Sequence, residues 1–382
     1  AGTGAMLAAA ISCSGFRTAL YTSPHLASYT ERMRIDGHEI SEAAFAQTLT
    51  RVRQAVERLT AGGEESPTQF EVLTAQAFLW FAEERVEYAV VEVGLGGLLD
   101  STNIITPVLS AITNVTLEHA DRCGGTLAGI AEHKAGIIKE GVPVITAAAG
   151  APLEIIEQRA EECGADVFVY GEDFSAQLFL KEGSQSIVFH SVVCRELAPF
   201  ELALAGPYQT ENAALVIMAA QVLGREDARI TETALRSALR SVHHPARFEI
   251  LAAENLQVVI DGAHNPAGMQ ALRAGLDAYF PHVPRVFLLG ILKDKDIDAM
   301  LAALLRPGDR VVTVRPNSVR AAGADVVAAV AAGMGLDTLA CGDVQTGLAE
   351  AERRARADGA LLVAAGSLYL VGGIRALLTA GR

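Results

Sequence analysis

Three stretches carry side chains whose type and placement could do chemistry. AVVEVGLGGLLDSTN puts Glu92 at the end of an apolar run of strand length, just before a glycine-rich turn. Ligand sites of open α/β sheets gather at the carboxyl ends of parallel strands, and a carboxylate there could hold a metal ion. The same residues also suit an ordinary tight turn between strand and helix. As a dinucleotide fingerprint, the only support for a nicotinamide dehydrogenase, they are poor, because Leu99 stands where a third glycine belongs. SAITNVTLEHADRCGGTLAGIAEHKAGIIKEG places Glu118 and His119 beyond a second strand end, where His119 could share a crevice with Glu92. Lys134 follows in an otherwise apolar, small-residue helical segment, and also reads as a surface lysine that snorkels its stem. VVIDGAHNPAGMQAL ends a third strand on Asp261, then turns through His264 and Asn265 into a helix opened by Pro266. A polar turn at a helix N-terminus is a ready anion or carboxylate site, and a structural N-cap would need only one of these polar residues.

A fourth stretch raises a question. AGTGAMLAAAISCSGF reads like a phosphate-binding loop running into its helix, with Gly2, Thr3 and Gly4 as amide donors and residues 5–11 as good helix formers. A loop of the G-x-x-x-x-G-K-[ST] kind also needs a lysine to reach the terminal phosphate oxygens. This stretch has none.

The elements that must position these residues follow from patterning. Apolar runs of strand length (RTALYT, EYAVVEVG, LSAITNV, VPVITAA, DVFVY, then LQVVIDG, RVFLLGI, DRVVTV, ALLVAAG) alternate with amphipathic segments such as EAAFAQTLTRVRQAVERL, QFEVLTAQAFLWFAEER and VQTGLAEAERRARA. That alternation predicts an α/β protein in which mainly parallel sheets carry helices on both faces. It occurs in two blocks, interrupted by a β-rich patch near residues 174–204 and a helical pair, so two domains are expected, 1–244 and 245–382. At 382 residues the chain exceeds one ordinary core.

Composition narrows the classes. A net charge of −14 argues against nucleic acid, which needs a basic face. Five widely spaced cysteines without C-x-x-C suit reduced thiols in a cytosol, and no apolar run approaches the roughly 18 residues of a membrane helix. A cytoplasmic location without nucleic-acid or membrane partners is therefore expected; small-molecule substrates and a monomer are further expectations. Only five lysines occur, Lys134, Lys139, Lys181, Lys293 and Lys295, against 26 arginines. In such a chain a lysine marks a place where guanidinium chemistry will not serve.

YTSPHLASYTERMRIDGHEIS, FEVLTAQAFLWFAEE, EVGLGGLLDSTN, ITNVTLEHAD, EHKAGIIKEGVPVI, ARFEIL, IDGAHNPAG and AGSLYLVGGIR, in this order over nearly the whole chain, resemble the folylpolyglutamate synthase and dihydrofolate synthase family of the Mur ligases. The resemblance implies a P-loop-type ATPase domain followed by a Rossmann-like domain. It implies ATP-dependent joining of L-glutamate to a folate or to dihydropteroate, through an acyl phosphate that the glutamate amine attacks. The alternatives are a Mur-type ligase with another acceptor, or a degenerate paralogue without the phosphate loop.

By the same resemblance Ser23, Glu92 and His119 hold Mg2+, and Lys134 is carbamylated to hold a second Mg2+. Gly2, Thr3, Gly4, Asn212, Arg247 and Asp261 contact ATP, the last three from the domain junction or second domain. Arg32, His264 and Ser367 bind substrate, and Lys134, Asp261 and His264 take part in catalysis. Family members carry A-G-T-N-G-K-G-S-T before the first helix, so N-G-K-G-S-T is expected between Thr3 and Gly4, with a strand ahead of it; the chain reads as starting inside that domain. Other departures are Leu98 for an arginine, Glu118 for an aspartate, His133 for a glutamate, and Pro-Ala for Pro-Gly before Arg247.

Overall fold

The computed structural model describes residues 2–117, 123–181, 184–192, 197–253 and 255–379. They divide into two compact units, Ala1–Ala203 with Thr210–Val242, and Leu204–Gln209 with His243–Arg382. The short segment 204–209, inside the first expected domain, clusters with the second unit.

The first stretch of chain runs α1 (Gly2–Cys13), β1 (Thr18–Tyr21), a 3-10 turn (Tyr29–Arg32), β2 (Met33–Ile35), β3 (His38–Glu39), α2 (Glu42–Ala61), α3 (Gln69–Glu83), β4 (Tyr88–Val91), a second 3-10 turn (Ser101–Ile104) and β5 (Ser110–Ile112). It continues with α4 (Leu127–Ala135), β6 (Val144–Thr146), α5 (Ala151–Glu162), β7 (Val167–Val169), β8 (Phe174–Lys181), β9 (Ser184–Ser191), β10 (Phe200–Glu201), α6 (Tyr208–Leu223) and α7 (Glu232–Ser241). Its strands form three sheets, in the orders β3-β2-β1-β4, β5-β6-β7 and β10-β9-β8. Pairing is parallel between β1 and β4 and throughout β5-β6-β7. It is antiparallel for β2 and β3, because Asp36 and Gly37 take φ of 49° and 80°, the Asp-Gly hairpin turn. Tyr21, Met33, Ala77 and Trp80 form one core here, and Ile112, Ile138, Val144 and Ile156 another.

The second stretch runs β11 (Glu249–Ala253), β12 (Leu256–Ile260), α8 (Pro266–Tyr279), β13 (Arg285–Leu289), α9 (Ile297–Leu304), β14 (Arg310–Thr313), α10 (Ala324–Gly333), β15 (Asp337–Ala340), α11 (Val344–Asp358), β16 (Leu361–Ala365) and α12 (Leu368–Thr379). One sheet, in the order β11-β12-β16-β13-β14-β15, is parallel except for β11. β13 and β16 are buried at every position, as expected of strands covered on both faces. β15 gave no strand signal because it is a half-exposed edge, Asp337 through Ala340, with too little apolar content.

The chain is thus a two-unit α/β protein with parallel-rich sheets. Among the described residues no helix is long and apolar enough to cross a membrane, and Cys13, Cys123, Cys163 and Cys341 are free thiols.

Candidate functional site

β4 carries Glu92 just past its carboxyl end. The Glu92 amide donates to the Tyr21 carbonyl (2.9 Å), and its carboxylate accepts the Ser23 N–H (3.2 Å). Two residues expected at the metal are therefore adjacent, but Ser23 reaches the carboxylate through its backbone rather than its hydroxyl. Beyond Glu92 the glycine turn is tied down by Asp100, which accepts from the Leu95 N–H (2.9 Å), the Thr102 N–H (3.0 Å) and the Thr102 hydroxyl (2.6 Å).

The helix α4 docks onto that turn. The Leu98 N–H donates to the His133 carbonyl at 2.7 Å, and a Cβ on Gly97 would stand 2.6 Å from that same oxygen. Only glycine allows this approach, which brings α4 and Lys134 to the wall of a cavity that Glu92 also lines. Thr3, Gly4, Glu92 and half-buried Lys134 line one cavity of about 320 Å³. Thr3 also donates its hydroxyl to the Asn212 side-chain oxygen (2.9 Å), which joins α1 to α6.

Gly2, Thr3 and Gly4 do not form a loop. They make the first turn of α1, which continues directly into the Ala-rich, helix-forming run that follows. First-turn amides have no intrahelical acceptor, so they remain anion donors. His119 and Glu118 lie outside the described residues.

A second cluster sits on the 3-10 turn Tyr29–Arg32. Ser28 caps it, and Glu31 accepts the backbone N–H groups of Leu26 (2.8 Å), Ala27 (2.7 Å) and Ser28 (2.7 Å). Arg32 Nε donates to His25 Nδ1 (2.9 Å), so the His25 proton sits on Nε2. Sequence reasoning missed His25 and Glu31, although S-x-x-E at Ser28–Glu31 is a capping-box signature. Burial and the Arg32 charge push His25 below its ordinary 6.5. Burial alone would raise Glu31, but its three N–H donors outweigh that and hold it below 4.5.

A group whose folded pKa is depressed stabilises above its unfolded value, and loses that contribution as pH falls through the folded one. The Arg32–His25 bond should therefore open below 6.5, before Glu31 releases the backbone. In NMR titration the His25 ring and Arg32 Nε–H should move together with a midpoint below 6.5, and Arg32→Ala should return His25 towards 6.5. A midpoint at or above 6.5 with Arg32 present contradicts this account.

In the second unit Asp261 ends β12, but it is turned inwards and only 6% exposed. Its carboxylate accepts the Phe248 N–H (2.7 Å), the Ala263 N–H (2.8 Å) and the Tyr208 hydroxyl (3.2 Å). Burial pushes Asp261 up from the usual carboxylate range, against Arg247 and these donors. Burial and the Asp261 charge push Tyr208 up.

Asp261 thus fastens two turns, and Arg247 and His264 are the partly exposed residues between them. The Arg247 guanidinium passes 2.6 Å from where a Cβ on Gly262 would be, and His264 Nδ1 is 2.8 Å from the Gly262 carbonyl. Ser367, 1% exposed, accepts the Leu370 N–H (3.2 Å) at the start of α12. Asp261 and Ser367 are both buried and both accept hydrogen bonds from within the protein, so the structure shows them as positioning residues beside partly exposed Arg247 and His264. Tyr208, missed within YQTENAAL, is found only through its contact with Asp261.

Asp261→Ala should lower the urea midpoint by the equivalent of about 2–4 kcal/mol, because it strands two buried N–H donors beside a cation. Tyr208→Phe should cost about 1 kcal/mol. An unchanged midpoint for Asp261→Ala would remove the fastening role.

Among the described residues no three His, Cys, Asp or Glu side chains cluster as a metal cage. One carboxylate beside first-turn amides instead fits a hard dication that keeps water and phosphate oxygens as most of its ligands.

The Mur ligase middle domain matches residues 38–220, and the Mur ligase glutamate ligase domain matches 246–368. The folylpolyglutamate synthase of Lacticaseibacillus casei is 36% identical over 297 residues, 77% of this chain and 69% of that one. The dihydrofolate synthase/folylpolyglutamate synthase of Bacillus subtilis is 35% identical over 301 residues, 76% of this chain and 68% of that one. Among solved structures, Thermotoga maritima folylpolyglutamate synthase superposes with a TM-score of 0.87 at 30% identity, covering 100% of this chain and 86% of its own. The Mycobacterium tuberculosis folylpolyglutamate synthase complexed with ADP and AMPPCP gives 0.88 at 30% identity, covering 99% and 88%. With sequence, domain matches and fold in agreement, this chain belongs to the folylpolyglutamate synthase/dihydrofolate synthase family of Mur ligases.

Proposed function

We propose that the chain is an ATP-dependent ligase that joins the amine of L-glutamate to the carboxylate of a folate or of dihydropteroate. The observation that carries this reading is the cavity that runs along β4 to Glu92 just past its carboxyl end, with Thr3 and Gly4 of α1 and Lys134 of α4 in its wall. A carboxylate is a poor electrophile, so the acceptor must first be phosphorylated, and that transfer depends on positioning and charge neutralisation. Thr3 and Gly4 present backbone donors to phosphate. Glu92 holds Mg2+, which supplies charge neutralisation and a template for the phosphate oxygens when bound. Asn212, bonded to Thr3, supports the same end of α1 for the nucleotide.

Arg32 offers a guanidinium to an anionic acceptor, held in place by His25 and by the loop that Glu31 braces. Arg247 and His264 present a cation and an imidazole for the nucleotide and the incoming glutamate. The test is ATP-dependent incorporation of labelled glutamate, with tetrahydrofolate and dihydropteroate compared as acceptors. Incorporation with neither acceptor, in a chain carrying a lysine-bearing phosphate loop, would overturn the reading.

Lys134 is proposed to react with carbon dioxide as the free amine, releasing a proton and placing a carbamate carboxylate in the cavity that Glu92 also lines, for a second Mg2+. Arginine could not do this. Intact mass measured in bicarbonate should rise by the mass of one carbon dioxide, and Lys134→Ala should abolish that gain. Short carboxylates should restore part of the activity lost in Lys134→Ala. A bare amine at full activity in bicarbonate would sink the proposal.

A further inference from the structure

Arg247 stands between two residues in an unusual backbone conformation. Ala246 and Phe248 take φ of 55° and 50°, the left-handed region in which a Cβ crowds the carbonyl oxygen. Neither is glycine. Such residues persist there only when their surroundings over-determine them. Asp261 fastens Phe248 through its N–H (2.7 Å), and the Phe248 ring is buried against Gly275 and Tyr279.

Ala246 depends on a different carboxylate. Its N–H donates to Glu249 Oε2 (2.9 Å), and its carbonyl accepts the Gly262 N–H (2.9 Å). Glu249 opens β11 with its side chain only 4% exposed. Both of its oxygens accept from Arg375 Nε of α12, at 3.0 Å each. A buried carboxylate that serves a cation and an amide is a stiff support, because losing one partner leaves a buried group unsatisfied. The Arg247 guanidinium crosses the Gly262 turn, to which Ala246 is bonded, so its course follows the backbone at 246. Two left-handed residues around one partly exposed cation, each tied to its own buried carboxylate, exceed what entry into β11 requires.

We propose that Glu249, backed by Arg375, is a positioning residue for Arg247. By holding the Ala246 N–H it keeps the turn left-handed, and the turn presents the guanidinium over Gly262 as a fixed donor for the negative oxygens of the nucleotide. Glu249 acts through Ala246 and not on substrate. That the partner of Arg247 is a nucleotide rests on the ligase reading, whereas the coupling of Glu249 to Arg247 rests on the geometry of the turn.

Amide hydrogen exchange and the Arg247 Nε–H resonance, followed by NMR in the full chain, test the coupling. Glu249→Ala should speed exchange of the Ala246 amide by roughly tenfold or more, as loss of a buried hydrogen bond opens a local segment. The Arg247 Nε–H signal should shift or broaden away with it. Adding Ala246→Gly should bring that signal back, because glycine takes positive φ without the Cβ penalty. The amides of β13 and β16, buried at every position, should keep their rates and so report that the unit is folded. Arg375→Met, at a partly exposed side chain, should loosen Ala246 in the same direction but less. An Arg247 signal unmoved by Glu249→Ala, or not restored by Ala246→Gly, overturns the proposal. Should Glu249→Ala fail to fold, unmoved Ala246 and Arg247 signals in Arg375→Met overturn it instead.

In a chain with the lysine-bearing phosphate loop, Glu249→Ala should raise the KM for ATP on the order of fivefold with little change in kcat, the pattern of lost uniform binding. Combined with Arg247→Ala it should add nothing further, since both remove the same contact. Additive losses overturn the proposal. Absence of ligation in the parent chain would sink the ligase reading, and the exchange and Arg247 signals would still decide the coupling.

Discussion

Inserting Asn-Gly-Lys-Gly-Ser-Thr between Thr3 and Gly4 is expected to raise ATP-dependent glutamate ligation at least a hundredfold. The unmodified chain is expected to turn over near background. The physical reason is at the start of α1. Its first turn, Gly2 to Gly4, supplies amide donors and a partial positive charge, but no lysine stands there to reach the terminal phosphate oxygens. Removing one preorganised donor from a developing charge costs on the order of a hundredfold to a thousandfold in rate. A flexible loop between strand and helix also lets the amides turn inward around phosphate, which a continuous helix does not. The measurements are ATP affinity by calorimetry and labelled-glutamate incorporation, run side by side on both chains. If the unmodified chain ligates glutamate as fast as the lysine-bearing one, the cation is not needed here.

Glu92→Ala, read in the same lysine-bearing chain, is expected to cost a hundredfold or more in rate and to weaken the dependence on magnesium. Two roles could produce that loss, because Glu92 lines the cavity and its carboxylate accepts the Ser23 N–H. Glu92→Gln separates them. The amide oxygen still accepts from Ser23, so loop order is kept, but the negative charge is gone. A metal role predicts that Glu92→Gln falls nearly as far as Glu92→Ala and needs more magnesium for half-maximal rate. Near-normal turnover by Glu92→Gln would reduce Glu92 to a brace for the Ser23 loop.

Much of this site was legible in the residue order. Glu92 and Asp261 were located correctly at strand ends, because a short apolar run followed by Gly and polar residues is a local signal. The helix over 69–83, with its Thr68–Glu71 capping box, was legible for the same reason. The job each side chain performs was less so. Asp261 and His264 lie three positions apart in one turn, yet one is buried under three donors and the other is partly exposed. The buried role requires Tyr208 and Phe248, which are 53 and 13 residues away from Asp261. Likewise, nothing near Lys134 in the chain announces Glu92. The Gly97–His133 approach brings α4 against the glycine turn.

Strand positions, helix caps and the carboxylates at strand ends were readable without coordinates, because each depends on neighbours a few residues apart. Which strands pair, which face of a carboxylate meets solvent, and where a sheet stays open were decided by contacts far apart in sequence. β4 and β5 carry similar apolar patterns to β1 and β6, so local periodicity gives all four the same reading. Only packing distinguishes a strand paired on both edges from one that borders a cavity.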